Sequence, residues 1–384
     1  MIRQNSQRPT AAFVDLDALA FNFRSSKQFI GPDLAYMAIV KADAYGHGAV
    51  RCAQRLESEG IDWFGVATLE EGVELREARI RQPILILGGL WPGQESTALS
   101  HDLTPAIFRL DQAESLNKTA FEQGKIAKIH VKIDTGMGRI GFRTEDIENV
   151  AERLLRLPNI EIEGLMTHFA AADQLAETDF TNLQISRFER VVEIFHSNGI
   201  RPNYMDMANS PGAVAYPDSR SNLVRLGGIL FGLAGDMLPA GIEKPELRPV
   251  MTLRSKIAMV KKVLKGETVG YGRTFVAERD SLIATIPIGY HDGFSRSLSN
   301  IGQVIINGEF APVAGRVSMD WTTVDVTDIR DAKVGDLVTL IGSEGGKTIR
   351  AEDIAQTLRT ISYEVTCGIG SRVPRIYQAV RKNL

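Results

Sequence analysis

The 384-residue sequence contains few of the residues that mark extracellular or metal-binding proteins. It has only two cysteines, Cys52 and Cys367, which lie far apart in the chain. Their spacing fits neither a disulfide framework nor a metal-binding pair, so we interpret them as free thiols in a reducing compartment. The six histidines form no HxxH or HxH pattern, and we therefore expect no metal site.

Long apolar runs and a strong excess of one charge are also absent. No run approaches the roughly 20 apolar residues of a membrane helix, and residues 1–10 lack the apolar segment of a secretory signal. The net charge of −3 gives no overall attraction to nucleic acid or to an anionic membrane. We therefore expect a cytoplasmic protein that binds neither.

The first two-thirds of the chain alternates short apolar runs with amphipathic segments. Eight runs are short and rich in Ile, Val and Leu, which is typical of strands buried on both faces: Leu34–Val40, Trp63–Ala67, Ile84–Leu87, Thr104–Phe108, Ile129–Ile133, Ile162–His168, Tyr204–Ala208 and Leu223–Leu233. Five segments between them have helical character: Gly48–Ser58, Leu69–Ala78, Asp111–Gly124, Thr144–Leu157 and Phe180–Gly199. This alternation predicts an α/β domain, a (β/α)8 barrel of the TIM type over residues 11–240. An open doubly wound sheet is the main alternative, but no Gly-x-Gly-x-x-Gly follows the first strand.

The pattern changes near residue 240. Short strand-like runs separated by turns follow: Thr252–Val260, Leu282–Ile286, Gln303–Ile306, Pro312–Val317, Thr322–Val326 and Leu337–Ile341. They predict a second, all-β domain of antiparallel strands over residues 241–384, interrupted by a helix at Ala351–Thr360. The segment Ala11–Asp15 also has strand character, and it is a candidate for this second domain rather than the barrel.

Lys41 stands at the end of the first apolar run, directly before a segment of small residues, Tyr45 and two glycines. Burial there would lower the pKa of the amine, so that the neutral form could attack a carbonyl and form a Schiff base. A strand-end lysine that points into solvent is the alternative interpretation, and the local sequence alone does not exclude it.

Polar residues of functional type end or follow other predicted strands, and Arg225 and Gly227 lie where the eighth run opens. Since active sites of (β/α)8 barrels lie at the carboxyl ends of the strands, we expect these residues to converge on one rim: Arg139, His168, Asn209, Ser210, Arg225 and Gly227. Each has an ordinary structural alternative, such as a core histidine, an ion-paired arginine or a turn. Their common position at strand ends is what favours a site.

This set of residues lacks a strong nucleophile or electrophile of its own. The sequence has no Gly-x-Ser-x-Gly elbow and no Walker loop. A lysine, a histidine, arginines and glycine-flanked amides suit an anionic cofactor that brings a carbonyl, and pyridoxal 5′-phosphate (PLP) is the obvious candidate. Ser210 and the amides near Gly227 could hold its phosphate.

Five motifs in order carry a resemblance to a known family. They are Val-Lys-Ala-Asp-Ala-Tyr-Gly-His-Gly at 40–48, Lys-Ile-Asp-Thr-Gly-Met-Gly-Arg-Ile-Gly-Phe at 132–142, Gly-Tyr-Gly at 270–272, Gly-Tyr-His-Asp-Gly at 289–293 and Gly-Arg-Val-Ser-Met-Asp at 315–320. Over essentially its whole length the chain resembles the bacterial alanine racemases, which are PLP enzymes of fold type III. The resemblance implies a homodimer that interconverts L- and D-alanine, either for peptidoglycan or for alanine catabolism.

The resemblance also implies a role for each site residue. Lys41 would hold the cofactor and act as one acid/base, and Tyr271, contributed by the partner subunit, would act on the opposite face. By the same resemblance, the cofactor phosphate would be held by Tyr45, Ser210, Gly227 and Ile229, and the rest of the cofactor by Asn209, His168 and Arg225. Arg139 and Met319 would bind the substrate carboxylate, and Tyr290 would lie at the entry path. Lys132 would be carbamylated.

One position departs from the family pattern. Ser371 precedes Arg-Val-Pro-Arg, where relatives carry tyrosine or asparagine, and where the tyrosine touches the phosphate and narrows the pocket. We expect a roomier site that rejects serine as a substrate less strongly.

The alternative functions for the chain are a serine or broad-specificity racemase, a decarboxylase of basic amino acids, and a PLP carrier without catalysis. The decarboxylase is disfavoured by the lack of a glycine triplet, and the carrier by the presence of the second domain.

Overall fold

A computed structural model describes residues 8–378. Eight parallel strands surround the core of the first domain: β2 (Ala35–Ile39), β3 (Trp63–Val66), β4 (Ile84–Ile86), β5 (Thr104–Ile107), β6 (Ala127–Asp134), β8 (Ile160–Met166), β9 (Tyr204–Asp206) and β10 (Leu223–Leu226). They are preceded by the strand β1 (Ala11–Asp15), and a short strand, β7 (Phe142–Arg143), follows β6. Around the barrel the order is β10-β2-β3-β4-β5-β6-β8-β9, and β7 pairs with β6. The Arg225 amide donates to the Ala208 carbonyl at 2.9 Å, which joins the last two strands. The predicted (β/α)8 barrel is therefore confirmed.

Most of the helices that follow the strands cover the outside of the barrel, whereas Lys41–Gly46 forms a turn at its rim. The helices are α1 (Leu16–Ile30), α2 (Lys41–Gly46), α3 (Ala49–Ser58), α4 (Leu69–Glu77), α5 (Glu95–Ser100), α6 (Leu110–Glu122), α7 (Ile147–Leu155), α8 (Thr178–Ser197) and α9 (Ser210–Ala215), with 3-10 turns at Thr144–Asp146, Leu175–Glu177, Pro217–Ser219 and Gly228–Phe231. All five helices that the sequence predicts for the barrel are present. The long helix α1 was not predicted, although Asp15 caps it by accepting hydrogen bonds from the amides of Asp17 and Ala18.

The second domain is built mainly of antiparallel strands, as predicted, although its sheet contains one parallel pair, Ala11–Asp15 with Arg375–Gln378. Its elements are β11 (Met251–Lys256), β12 (Met259–Val263), β13 (Thr268–Val269), β14 (Phe275–Val276), β15 (Ser281–Ile286), β16 (Gln303–Ile306), β17 (Glu309–Pro312), β18 (Thr322–Asp325), β19 (Leu337–Glu344), β20 (Lys347–Ile349), α10 (Ala351–Leu358), α11 (Ser362–Cys367) and β21 (Arg375–Gln378), with 3-10 turns at Tyr271–Arg273, Tyr290–Asp292 and Arg296–Leu298. Strand β1 pairs with β11 and β21, so the first strand of the chain lies in this domain's sheet.

Three predicted strands differ most from the structure. The run Leu223–Leu233 is a strand only as far as Leu226, because Gly227 and Gly228 begin a 3-10 turn there. The strand predicted at Pro312–Val317 lies at Glu309–Pro312 instead, paired with β16. The run Thr252–Val260 is divided between β11 and β12. Apolar composition alone does not show where a strand stops pairing.

Strand β1 lies between the two hydrophobic cores. Val14 packs in the barrel core, whereas Ala12 packs in the core of the second domain. Residues two apart in a strand share a face, so the two cores meet along one face of β1, with Ala12 in one core and Val14 in the other. Within residues 8–378, no helix is long and apolar enough to cross a membrane.

Candidate active site

A cavity of about 350 Å³ opens at the carboxyl ends of the barrel strands. This volume lies at the lower end of the range for small-molecule sites. Of the residues predicted for the site, nine line this cavity: Lys41, Tyr45, Lys132, Arg139, His168, Asn209, Ser210, Arg225 and Gly227. The structure thus brings together the residues that follow five separate strands.

Lys41 begins the segment that follows β2 and lines the cavity. Burial lowers the pKa of its amine, and the cationic side chains of Arg139 and Arg225 lower it further, against an opposing effect of Glu71. A lowered pKa increases the fraction of neutral amine at neutral pH, which is the form that attacks carbonyl carbon.

The segment directly after Lys41 is a turn of left-handed helix. Ala42, Asp43, Ala44 and Tyr45 have φ of 52–54° and ψ of 37–52°. The left-handed helix costs an L-residue roughly 1–2 kcal/mol, so this turn persists only because its surroundings hold it. Glu71 accepts a hydrogen bond from the Ala42 amide at 2.7 Å.

Two further groups hold the left-handed turn. The His47 ring lies 2.9 Å from the Ala44 carbonyl and 3.0 Å from the Tyr45 carbonyl through the same nitrogen, Nδ1, so that nitrogen carries the proton. Arg375 of the second domain donates to the Gly46 carbonyl at 3.0 Å. A side chain at Gly46 would bring its Cβ to 2.2 Å from the Thr366 carbonyl. The second domain therefore fixes the backbone that presents Lys41.

Arg225 is buried on the floor of the cavity and is held on several sides. It forms an ion pair with Asp206, and both side chains are buried. Its guanidinium donates to the Thr167 carbonyl at 2.9 Å and lies 3.3 Å from Nδ1 of His168. Burial, and then the charge of Arg225, lower the pKa of His168 to about 2. The imidazole is therefore neutral and can accept a hydrogen bond from the guanidinium.

Lys132 is buried near Arg225 and Arg139. Burial and the charge of Arg225 lower the pKa of its amine well below the usual range. The loop that carries Arg139 is held by Asp134, whose carboxylate accepts from the amides of Gly136 and Gly138 at 3.0 Å each. A lysine of lowered pKa and an exposed arginine thus share one side of the cavity.

The other end of the cavity is shaped by two glycines. Ser210 Oγ accepts a hydrogen bond from the Gly227 amide at 2.9 Å. A Cβ at Gly227 would lie 2.6 Å from the Tyr45 hydroxyl, and one at Gly228 would lie 2.3 Å from the Tyr363 hydroxyl. Only glycine leaves room for the two tyrosines at this backbone. The result is a pocket of hydroxyl and amide donors that suits an anion.

Several predicted residues lie away from this cavity in the described chain. Tyr271, Met319 and Tyr290 belong to the second domain and are exposed by 72%, 51% and 40%. Ile229 is buried in the 3-10 turn after β10, and Ser371 is exposed. None of these five is among the described residues that line the cavity.

Sequence reasoning missed Tyr363, which lines the cavity from α11 of the second domain. Its ring meets that of Tyr45 edge to face, with centroids 4.9 Å apart. No local pattern marks it, because α11 is short and its contact with the barrel joins residues far apart in the chain. Among residues 8–378, no group of three or more His, Cys, Asp or Glu is placed to hold a metal.

Comparison with known proteins agrees with this geometry. Residues 14–235 match the family model for the alanine racemase N-terminal domain, and residues 250–377 match the model for the C-terminal domain. The chain belongs to the alanine racemase family. It is therefore an isomerase, and the matches do not favour a decarboxylase or a carrier. The alanine racemase of Geobacter sulfurreducens is 44% identical over 96% of this chain and 97% of that protein.

Other relatives give the same result. The alanine racemase of Halothermothrix orenii is 43% identical over 97% of both proteins. Among solved structures, the alanine racemase of Clostridium difficile 630 has a TM-score of 0.91 at 38% identity, covering 97% of each chain. The Bacillus anthracis alanine racemase with bound L-Ala-P has a TM-score of 0.92 at 33% identity, covering 98% of this chain and 97% of that one.

Proposed function

We propose that the chain interconverts L- and D-alanine with PLP held in the Lys41 cavity. The single observation that carries this proposal is the arrangement at the two ends of that cavity. An amine of lowered pKa lies at the carboxyl end of β2, and a glycine-lined pocket of hydroxyl and amide donors lies beyond it. An aldehyde that carries a phosphate fits both ends. PLP, when bound, supplies an aldehyde that condenses with amines and a ring that stabilises negative charge at Cα.

Racemisation requires that a proton leave one face of Cα and return to the other. A single side chain would have to reach both faces, whereas two side chains on opposite faces meet the requirement directly. In our proposal Lys41 exchanges the proton on one face and Tyr271 exchanges it on the other. Tyr271 is exposed by 72% on its own chain, so it is free to enter the site of a second subunit.

Arg225 is the proposed partner of the cofactor's ring nitrogen. A guanidinium does not give up its proton readily, and the ion pair with Asp206 keeps it charged. The ring nitrogen would then remain unprotonated, with His168 as a neutral neighbour of Arg225. Such a ring withdraws less electron density from Cα, which disfavours side reactions such as transamination.

Arg139 and the Met319 backbone are proposed to bind the substrate carboxylate. Lys132 is proposed to position Arg139 after carbamylation, in which its neutral amine adds to CO2 and releases a proton. The low pKa of Lys132 favours this addition, because only the neutral amine reacts. The carbamate would place a negative charge close to Arg139 and Arg225.

A homodimer follows from the proposed role of Tyr271. Tyr271, Tyr290 and Met319 are large side chains exposed on the second domain, whereas Lys41, Arg139 and Arg225 belong to the barrel. We propose that each barrel is completed by Tyr271, Tyr290 and Met319 of a second copy. The product would serve peptidoglycan or alanine catabolism, and the cytosolic location stays a prediction.

The proposal is tested with purified protein, L-alanine and PLP. We expect a lysine-linked cofactor absorbance band, and loss of optical rotation as D-alanine forms. Lys41→Ala should lose both, because no other amine stands at the end of β2. Lys118→Ala, on the exposed face of α6, is the matched control and should keep both. A wild-type protein without the band contradicts the cofactor, and a band without racemisation favours the carrier.

A further inference from the structure

A second cavity lies between the two domains, beside His47. It has a volume of about 530 Å³, which is within the usual range for small-molecule sites. Its walls come from the segment after β10, from the beginning of β11, and from the region of β19, β20 and α10. Among the described residues, the two cavities have no lining residue in common. This cavity is therefore separate from the one that contains Lys41.

His47 supplies a buried hydrogen-bond acceptor to this cavity. Its ring stacks on Phe231, with centroids 4.6 Å apart, and its Nδ1 proton is used by the carbonyls of Ala44 and Tyr45. Burial lowers the pKa of the ring to about 4, so the ring is neutral and Nε2 carries a lone pair. Within residues 8–378 this buried Nε2 atom has no hydrogen-bond partner. Since a buried polar atom without a partner costs free energy, Nε2 is suited to a ligand that carries a donor.

Two guanidinium groups line the same cavity. Arg254 of β11 is half-buried, and its Nε atom is buried without a hydrogen-bond partner in the described part of the chain. Arg350, directly before α10, is exposed. Neither guanidinium pairs with a carboxylate of the described residues. Because arginine keeps its charge in proteins and its planar fork matches a carboxylate, these two groups favour a ligand with carboxylates.

One carboxylate, that of Glu352, also lines the cavity. Its Oε1 atom accepts a hydrogen bond from the Gly235 amide at 3.3 Å. Two cations therefore face one anion that already has a partner, and the balance of charge favours an anionic ligand. The hydroxyl of Thr252, in the wall beside Arg254, is a further neutral donor for it.

We propose that this cavity binds a small hydroxy-dicarboxylate. Its two carboxylates would pair with Arg254 and Arg350, and its hydroxyl would donate a hydrogen bond to Nε2 of His47. Nδ1 of the same ring holds the turn that presents Lys41. The ligand would therefore contact the support of that lysine without entering its cavity, as an effector would. The inference does not depend on the proposed reaction, because it concerns other residues.

The test compares malate with succinate, which has the same two carboxylates but no hydroxyl. Calorimetry measures the dissociation constants of both with the wild-type holoenzyme. Alanine is present at saturation, so that the proposed carboxylate site at Arg139 is filled. One hydrogen bond to a buried acceptor predicts that malate binds roughly tenfold more tightly than succinate. Leaving alanine out should not change the affinity for malate.

Substitutions of the two arginines test the assignment of the carboxylates. Arg254→Gln should weaken malate binding on the order of tenfold, because it removes a charged partner in a half-buried position. Arg350→Gln should weaken it by several-fold, since solvent screens an exposed charge. Replacing an exposed residue leaves the fold intact, so this variant decides the question even if Arg254→Gln disturbs folding.

The matched control is Arg330→Gln. Arg330 is an exposed arginine that pairs with Asp331 and does not line the cavity among the described residues. Its substitution removes the same charge from the protein and should leave malate binding unchanged. Thermal unfolding of each variant checks that the comparison is made on folded protein.

Three outcomes overturn the inference. A wild type that binds no malate at millimolar concentration has no such site. Equal affinities for malate and succinate would show that His47 accepts no hydrogen bond from the ligand. Malate binding that alanine abolishes, or that both arginine variants retain, would belong to another part of the protein. None of these outcomes bears on the proposed function, which fails or stands by the racemisation of alanine.

Discussion

At the scale of single residues, Asp292 shows that part of a recognised motif is structural. Its buried carboxylate pairs with Arg8 at 2.6 Å and with Arg372 at 2.6 Å. It also accepts a hydrogen bond from the Gly289 amide at 3.0 Å. These contacts tie the Gly289–Gly293 turn to the beginning of the chain and to the Arg-Val-Pro segment near its end. The aspartate of Gly-Tyr-His-Asp-Gly therefore stabilises the second domain.

We expect Asp292→Asn to lower the free energy of unfolding by about 2–3 kcal/mol, because two arginines lose their shared anion. The value is set below that of a fully buried pair, since both arginines are partly exposed. Urea unfolding at neutral pH measures this loss. Asp320→Asn is the matched control, because Asp320 pairs with the same Arg372 at the surface, and it should cost less. An equal cost for the two variants would contradict the argument.

The pH dependence of the Asp292 effect follows from its pKa. Burial raises the pKa of this carboxyl, but hydrogen bonds from Arg8 and Arg372 outweigh burial and lower it to about 2. An unfolded aspartate titrates near about 3.9, so the contribution to stability is complete above that pH and disappears as the pH falls towards about 2. The difference between wild type and Asp292→Asn should therefore shrink between pH 4 and pH 2 when unfolding is measured along that series.

Ser371 carries a prediction on substrate range. Although serine is smaller than the tyrosine or asparagine of relatives, Ser371 is exposed and is not among the described residues that line the cavity. Ser371→Tyr should therefore leave the ratio of kcat/KM for L-serine to that for L-alanine unchanged. Racemisation of both substrates by wild type and variant measures the ratio. A fall of several-fold to tenfold, as expected for a change in pocket volume alone, would show that position 371 does set the width of the pocket.

The site residues that could be predicted from the sequence share one property. Lys41, His168 and Arg225 each stand at the end of an apolar strand, and barrel topology brings such ends together whatever the details of packing. Tyr363 and Arg375 could not be found in this way. Their partners, Gly228 and Gly46, lie more than a hundred residues away in sequence, and no local pattern encodes contact between the two domains.

At the scale of elements, the turn after Lys41 is the most unusual. Four consecutive L-residues adopt the left-handed helical region, where glycine has no Cβ penalty. The run Ala42–Tyr45 reads as an ordinary helical stretch, so its hand was not predictable from composition. The position of Lys41 therefore depends on Glu71, His47 and Arg375, which hold the turn from outside.

The handedness of this turn predicts whether a mutation to glycine stabilises or destabilises the protein. In a right-handed helix, replacing alanine by glycine costs about 1 kcal/mol. At Ala42, which is exposed with φ of 53°, glycine should instead be neutral or stabilise by up to about 1 kcal/mol, because it relieves left-handed strain. Thermal unfolding of wild type and Ala42→Gly measures the difference.

The control for this mutation uses the neighbouring right-handed helix. Gln54 is exposed in the middle of α3. Gln54→Gly compared with Gln54→Ala should show the usual glycine penalty, opposite in sign to the effect at Ala42. A similar glycine penalty at both positions would mean that the turn after Lys41 is not left-handed in solution.

The barrel strands show which structural features an apolar sequence pattern predicts and which it does not. All eight barrel strands were predicted because each is buried on both faces and thus consists of an uninterrupted apolar run. The prediction extends the last strand, β10, too far along the chain. Ile229, Leu230 and Phe231 are also buried and apolar, but they lie in a 3-10 turn. Burial determines the composition of such a segment, and Gly227 and Gly228 determine its conformation.

At the scale of the whole molecule, each domain depends on the other. Strand β1 precedes the barrel in sequence but lies in the sheet of the second domain, and it packs in both cores. The second domain in turn holds the Lys41 turn through Arg375. A barrel without this domain would lose the contacts that present Lys41, so the two domains are expected to act as one catalytic unit.

The proposed second subunit leads to a test that uses two inactive proteins. In our proposal Lys41→Ala removes a group of the barrel, and Tyr271→Phe removes a group that enters the site of the other copy. When the two variants are mixed and allowed to exchange subunits, each mixed dimer contains one site with both Lys41 and Tyr271 intact. Random exchange of a symmetric dimer should restore up to about a quarter of the wild-type racemase activity.

The concentration dependence of the same assay separates the possible origins of the activity. Restored activity should fall on dilution, because the intact site exists only in the dimer. A mixture of Lys41→Ala with the double variant Lys41→Ala/Tyr271→Phe should stay inactive, since no barrel in it has the lysine. If Tyr271 acted within its own chain, every mixed dimer would contain one site that lacks Lys41 and one that lacks Tyr271. The first mixture would then stay inactive too, which would refute the shared site.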